Sequence, residues 1–212
     1  MDKPVMIFGA GPLGQAALEI FTRNGVVTYG LLDDDEERHG QEIGEVSVLG
    51  STSDDGFLKF IGQKAEAFIA EEEREVRKHL VEMLHERRKV QPVNAVHPTA
   101  EVATTASLGH GNFVNARATV GAGTTIGSHC LLHSASVVDH GATLGDFVAV
   151  GAGSIVSSGA SLADEVFVGA GAVIVSGVKV GKGARIGAGS VVVAEVKAGD
   201  TVFGNPAQPV KS

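Results

Sequence analysis

From Val96 onward an aliphatic side chain stands at every sixth position: Val96, Val102, Leu108, Val114, Val120, Ile126, Leu132, Val138, Leu144, Val150, Val156, Leu162, Val168, Ile174, Val180, Ile186 and Val192. Every slot is filled, so the period is a property of the fold. Four residues after many of them comes a small side chain, as at Ala100, Ala106, Ala118, Cys130, Ser136, Ala142, Ala160 and Ala184. Glycine often follows the aliphatic directly, at Gly109, Gly121, Gly127, Gly145, Gly151, Gly169, Gly181 and Gly187. Each hexapeptide is read as one short flat strand plus a tight corner. Three close a triangular coil with the aliphatic residues stacked inside, and about six coils fit between Val96 and Val192. The glycines are taken to accept corner angles that a Cβ would forbid. The register is never interrupted, so an active site is expected on the prism faces and not in an inserted loop.

The composition agrees with a wound, repetitive backbone: the 212-residue chain has 29 glycines, one Tyr and no Trp. Its formal net charge of −8 argues against nucleic acid, which is bound through clustered Lys and Arg. The single cysteine, Cys130, excludes an intramolecular disulfide. The amino-terminal residues lack the basic-then-apolar order of a signal peptide, and no segment is long and apolar enough to span a membrane. A cytoplasmic protein without a membrane partner is predicted.

The first hundred residues are organised differently. Val5-Met6-Ile7-Phe8 reads as a buried strand, Gly9-Ala10-Gly11-Pro12-Leu13-Gly14 as a turn, and the following stretch to about Asn24 as a helix. A second strand, Val26 to Leu32, ends at Asp33-Asp34-Asp35. In this order the turn amides and helix N-terminus face a phosphate; the plainer reading is that the glycines only tighten a strand-to-helix turn. A hairpin-like piece at Gly44 to Gly50, a strand at Ala65 to Ala70 and a charged helix from about Glu71 to Arg88 follow, with Val76, Leu80 and Leu84 expected to face the sheet. That is at most half of a doubly wound domain. The predicted fold is mainly β: a left-handed parallel β-helix of hexapeptide repeats over 95–212, preceded by a small Rossmann-like α/β domain over 1–94. Lys89 to Ala95 forms the linker, and Val96-His97-Pro98 starts the first coil.

Four stretches carry a resemblance that covers nearly the whole chain: Ile7-Phe8-Gly9-Ala10-Gly11 with Leu32-Asp33-Asp34, Val96-His97-Pro98-Thr99-Ala100, Ser136-Val137-Val138-Asp139-His140, and the closing Gly204-Asn205-Pro206-Ala207. With them the chain resembles the bacterial sialic acid O-acetyltransferase-like and nucleotide-sugar N-acetyltransferase family of hexapeptide-repeat acyltransferases. The resemblance implies an acetyl-CoA-dependent sugar O- or N-acetyltransferase of bacterial surface-glycan biosynthesis, with a nucleotide-linked amino sugar as the favoured acceptor and a hydroxyl sugar left open. It implies a homotrimer with acetyl-CoA in the grooves between adjacent prisms and the nucleotide sugar on the N-terminal domain. His140 matches the general base. Ala149, Ala170 and Ala188 match coenzyme contacts, and Gly11, Pro12, Leu13, Asp33 and Asp34 match sugar-nucleotide contacts. No metal is implied.

This chain departs from that pattern at four places. Gly141 stands where an acidic residue normally follows the histidine, and Ala149 where a histidine is often found. Gly11-Pro12-Leu13-Gly14 replaces a Ser-Gly-His-Gly turn, and Glu72-Glu73-Arg74 replaces a Gly-Asp/Asn-Asn turn.

Acetyl transfer needs a base for the nucleophile's proton and donors for the thioester oxyanion. Histidine suits the first role, with an ordinary pKa of about 6.5; corner amides suit the second. Asp139 is the nearest carboxylate to His140, but successive strand residues point to opposite faces, so it is not expected to replace the missing acid. His39, His79 and His85 read as surface residues and His97 as part of the domain joint, while His110, His129, His133 and His140 fall in the early coils. His133 could line the same cleft as a binding contact. Two rival classes stay open: a carbonic anhydrase-like trimer with zinc held by three histidines from two chains, and a non-catalytic sugar-nucleotide binder.

Overall fold

The structure, a computed structural model, describes residues 3–210. It divides into two compact units, residues 1–98 and 99–212.

The first unit is built on a five-stranded sheet. Its elements are β1 (Val5–Phe8), α1 (Pro12–Arg23), β2 (Thr28–Leu32), β3 (Glu42–Ile43), β4 (Val46–Gly50), α2 (Asp55–Leu58), β5 (Glu66–Ile69) and α3 (Arg74–Arg88). The sheet order is β3-β4-β2-β1-β5, parallel except for the β3–β4 hairpin. β1 is buried at all four positions, as a central parallel strand covered on both faces must be. Strand alternation sorts its neighbours. Ile7 lies level with Phe68, whose ring meets Phe21 of α1 edge-on at 5.6 Å. Met6 and Phe8 join Leu80 and Leu84 of α3 in one core cluster with Leu58 and Ile61.

Two expectations need correction. Val76 is 45% exposed, and the inward residue is Arg77, only 2% exposed. The buried face of α3 is 77-80-84, an i, i+3, i+7 stripe, and the arginine stem is accepted there because its Nη1 donates to the carbonyls of Glu71 and Glu72 at 2.5 and 3.1 Å. His39 is not a free surface residue, since its Nε2 lies 2.7 Å from the Asp33 carbonyl.

The second unit is the predicted prism, a left-handed parallel β-helix whose two-residue strands stack in three flat faces. Face I runs Phe113–Val114, Leu131–Leu132, Ala149–Val150, Phe167–Val168, Arg185–Ile186 and Thr201–Gly204. Face II runs Glu101–Val102, Thr119–Val120, Val137–Val138, Ile155–Val156, Val173–Ile174 and Val191–Val192. Face III runs Ser107–Leu108, Thr125–Ile126, Thr143–Leu144, Ser161–Leu162 and Lys179–Val180. The second residue of each pair points inward, and from Val114 to Val192 all are buried. A one-residue slip would turn the whole aliphatic column outward, which fixes the register. No described helix is long and apolar enough to cross a membrane.

The glycines do two separate jobs. Those directly after the aliphatic residue answer to space, not backbone angle: a Cβ on Gly121 would come within 2.5 Å of the His140 amide nitrogen in the next coil. The left-handed positions come two residues later, and there non-glycine residues also occur, at Arg117, Ala135 and Glu165 with φ of 60°, 56° and 65°.

Candidate active site

Face II leads into face III through a corner, and on one coil that corner is Asp139-His140-Gly141. The strand stops at Val138; Gly141 turns the chain with φ 66°. The corner is tied to its neighbours by Gly141 N–H donating to the Ala122 carbonyl at 2.9 Å and Gly159 N–H donating to the His140 carbonyl at 3.1 Å. The His140 side chain projects from this ridge, 70% exposed. Its Nδ1 lies 2.9 Å from Asp139 Oδ1, which also accepts the His140 amide proton at 2.7 Å. The expectation that Asp139 points away is therefore wrong. Alternation holds only inside the strand, and one residue past it the carboxylate folds back over the corner. Those bonds from His140, its amide first and its ring second, hold the Asp139 carboxyl below the ordinary carboxylate range.

The first unit carries a crevice of about 210 Å³ lined by Gly11, Pro12, Leu13, Ala70, Glu71, Glu72 and Glu73. It opens at the carboxyl ends of β1 and β5. There the chain, having left β1 for β2, returns on the other side of the sheet, the switch point where open α/β sheets bind ligands. Gly14 is required because a Cβ there would sit 2.1 Å from the Gly9 carbonyl oxygen, whereas a Cβ on Gly11 meets nothing within 4 Å. Pro12 opens α1, so the free first-turn amides of that helix border the crevice. Burial, reinforced by Asp33, pushes the Glu71 carboxyl above its ordinary value against the pull of Arg77.

The repeats are matched by the model for the bacterial transferase hexapeptide (six repeats) over residues 159–194 and the one for the hexapeptide repeat of succinyl-transferase over 123–158. No curated protein sequence is matched. Among solved structures, GDP-perosamine N-acetyltransferase from Caulobacter crescentus, as a histidine-to-alanine mutant in complex with CoA and GDP-perosamine, is 26% identical. The match covers 100% of this chain and 99% of that one, with a TM-score of 0.91. The acetyltransferase domain of PglB from Neisseria gonorrhoeae, in complex with acetyl coenzyme A, is 27% identical over 99% of this chain and 100% of that one, with a TM-score of 0.89. WeeI from Acinetobacter baumannii is 25% identical over 98% and 99%, with a TM-score of 0.86. The chain is an acyltransferase built on hexapeptide repeats, similar over its whole length to these sugar acetyltransferases.

In this acyltransferase the anticipated coenzyme residues fall into two settings. Ala170 and Ala188 are exposed at the corner between faces I and II, on successive coils, with Gly189 N–H donating to the Ala170 carbonyl at 2.9 Å. Ala149 lies in the outward column of face I, half-buried between Leu131 and Phe167. His140 is at the opposite edge of face II, so one chain does not bring it together with Ala170 and Ala188. Of the anticipated nucleotide-sugar residues, Gly11, Pro12 and Leu13 line the crevice and the two aspartates do not. Asp33 accepts from the Ala10 amide at 2.7 Å and the Asp35 amide at 2.9 Å. Asp34 accepts from the Ser51 hydroxyl at 2.6 Å and from the Thr52 amide and hydroxyl. Burial pushes the Asp34 carboxyl up, yet these bonds outweigh it and hold it low.

The four prism histidines do not form one cluster. His110 and His129 belong to the corner between faces III and I, His133 to that between I and II, and His140 to that between II and III. His129 is buried, its ring 4.9 Å from that of Phe147, and the His133 ring lies against Phe113. Among the described residues no group of three His, Cys, Asp or Glu could hold a metal ion. Sequence reasoning weighed Asp139 as the nearest carboxylate and set it aside, and it missed Glu71 and Arg77. The available signals for those two were a place just past β5 and an i, i+3, i+7 spacing with Leu80 and Leu84.

Proposed function

We propose that this acyltransferase moves the acetyl group of acetyl-CoA onto the amino group of a nucleotide-linked sugar in bacterial surface-glycan biosynthesis. The observation that carries the reading is an exposed imidazole held at a prism corner, in a chain that aligns end to end with structures containing CoA and GDP-perosamine. The neutral amine attacks the thioester carbonyl, and His140 takes the proton the new C–N bond displaces. The tetrahedral oxyanion is met by corner amides. As the C–S bond breaks, the imidazolium returns a proton to the coenzyme thiolate, leaving an N-acetyl sugar and free thiol.

In this proposal the N-terminal domain, 1–94, holds the nucleotide sugar through the Gly11–Leu13 turn, and Ala149, Ala170 and Ala188 border the coenzyme. Asp33 and Asp34 act from behind, by fixing the turn. His140 and Ala170 stand at opposite edges of face II, so the working site is assembled between copies of a homotrimer, and cyclic closure is the usual form of such assemblies. The outward columns support this. Beyond Glu101 and Thr119 in its first two coils, face II presents Val137, Ile155, Val173 and Val191, with Ile155 39% exposed, whereas face III presents Ser107, Thr125, Thr143, Ser161 and Lys179. An apolar stripe of that kind marks a surface used for association. A cytoplasmic setting, where acetyl-CoA is supplied, goes with the reading.

The test is a panel of nucleotide amino sugars incubated with acetyl-CoA, following release of free thiol. Turnover with one of them, strongly reduced in His140→Ala, is expected. Binding of a nucleotide sugar without thiol release from any acceptor would refute it in favour of a non-catalytic binder.

A further inference from the structure

We propose that Asp139 is the positioning residue of His140, so that this acyltransferase carries its orienting carboxylate before the histidine and not after it. The inference rests on the acetyl-transfer reading above. It begins from what the corner needs and what it does not. The same turn recurs one and two coils on, where Gly159 N–H donates to the His140 carbonyl and Gly177 N–H to the Ser158 carbonyl, both at 3.1 Å. In those coils the place of Asp139 is taken by Ser157 and Val175, and one coil earlier by Gly121. The corner therefore forms without a carboxylate. The one coil that has an aspartate is the one that has a histidine beside it.

The carboxylate is fixed before it meets the ring. Its Oδ1 accepts the His140 amide proton at 2.7 Å, and the Ser158 amide of the next coil adds slightly to what keeps the carboxyl ionised. An ionised carboxylate only accepts, so the Nδ1 it touches at 2.9 Å must carry the proton. Nε2 is left with its lone pair, directed away from Asp139, as a general base requires. For a ring that is 70% exposed the bond also removes rotamer freedom that would otherwise be lost at each turnover. Among the described residues, those stacked on the pair in the adjoining coils of this edge are uncharged. The residues around the pair are Gly121, Ala122, Ser157, Ser158, Val175 and Ser176, and the next carboxylate along this edge, Glu195, is three coils on. Position 141 faces the same opening: a Cβ there meets nothing within 4 Å, and its φ of 66° matches the 65° that Glu165 adopts at its own corner.

The experiment moves the carboxylate. In Asp139→Asn, kcat is expected to fall about 10- to 100-fold with both KM values nearly unchanged, the usual scale for losing the partner that orients a functional imidazole. The acidic limb of the pH–kcat profile should move to lower pH, because the imidazolium loses its neighbouring anion. Adding Gly141→Glu to that variant should recover most of kcat and move the limb back, which a purely structural aspartate would not permit. Histidine ¹⁵N NMR of the unliganded wild-type protein should show His140 protonated on Nδ1. Asp139→Asn with unchanged kcat and pH limb, or a wild-type ring protonated on Nε2, would overturn the inference. If His140→Ala is inactive while Asp139→Asn behaves as wild type, only this inference falls. If His140→Ala itself retains full turnover, the acetyl-transfer mechanism falls first.

Discussion

The two candidate binding regions are built on opposite plans. At the prism corner the same turn repeats in successive coils, with positive φ at Gly123, Gly141, Gly159 and Gly177, so function shows as a departure from a column: Asp139 and His140 stand where the neighbouring coils have Gly, Ala, Ser or Val. In the crevice of the first unit every position is unique, and its shape comes from hydrogen bonds made behind it. Asp33 holds the Ala10 amide, Arg38 Nη1 donates to the Ala10 carbonyl at 3.0 Å, and Arg77 holds the carbonyls of Glu71 and Glu72. The corner should therefore tolerate substitution structurally while losing chemistry, and the crevice should lose shape and binding together unless the change faces open space.

The largest effect falls at the corner. His140→Ala should lower kcat by roughly 10²- to 10⁴-fold, about 3 to 5 kcal/mol in the barrier, with the dissociation constant of coenzyme A unchanged by calorimetry. A parallel loss of coenzyme affinity would break the contrast by making the ring a ligand contact. Inside the prism the ranking reverses. Leu144, 1% exposed, has neighbours in the next coils but no reactant, so Leu144→Ala should cost about 2 to 5 kcal/mol of stability in urea unfolding and leave the specific activity of the folded protein intact.

The crevice gives a smaller and more selective effect. Gly11→Val should weaken nucleotide-sugar binding about 10-fold and spare coenzyme affinity. The new side chain enters empty space beside the α1 amides and blocks the approach of a phosphate. Gly14→Ala, whose Cβ would collide with the Gly9 carbonyl, should instead lower the melting temperature. Equal thermal losses in both variants would mean that the turn is only structural.

How far each region could be read from the sequence follows from the same contrast. Repetition exposed the prism, because an aliphatic residue at each sixth position leaves one register in which all are buried. It misled in two places. The glycines after Val120 and Val168 answer to the approach of the next coil and not to a left-handed angle, and strand alternation was carried one residue too far, onto Asp139. In the first unit the strand, turn and helix were legible from Val5 to Arg23. The inward turn of Arg77 was not, because a charged residue is placed inside only by partners, here two carbonyls that sequence spacing does not reveal. Asp33 and Asp34 were recognisable as special; that their oxygens are taken up by Ala10, Asp35, Ser51 and Thr52 depends on the path of the loops.

The smallest effect concerns Glu71, and its sign follows from geometry. Its carboxyl is pushed above the ordinary value chiefly by burial and then by Asp33. A group raised on folding contributes stability that is fully present below its unfolded pKa and is lost as pH rises through the folded one. Above that value a half-buried negative charge stands on the wall of the crevice, facing the place proposed for a phosphate. Nucleotide-sugar affinity should then improve as pH is lowered through the Glu71 titration, by a few-fold at most because the crevice is open to solvent and screened. Glu71→Gln should bind at neutral pH as the wild type does in mild acid, with its pH dependence flattened and its melting temperature at neutral pH equal or higher. The gain should be absent for coenzyme A. A Glu71→Gln variant that binds the nucleotide sugar more weakly would instead show that the carboxylate itself recognises the ligand, and the crevice would then be acting by charge where the corner acts by proton transfer.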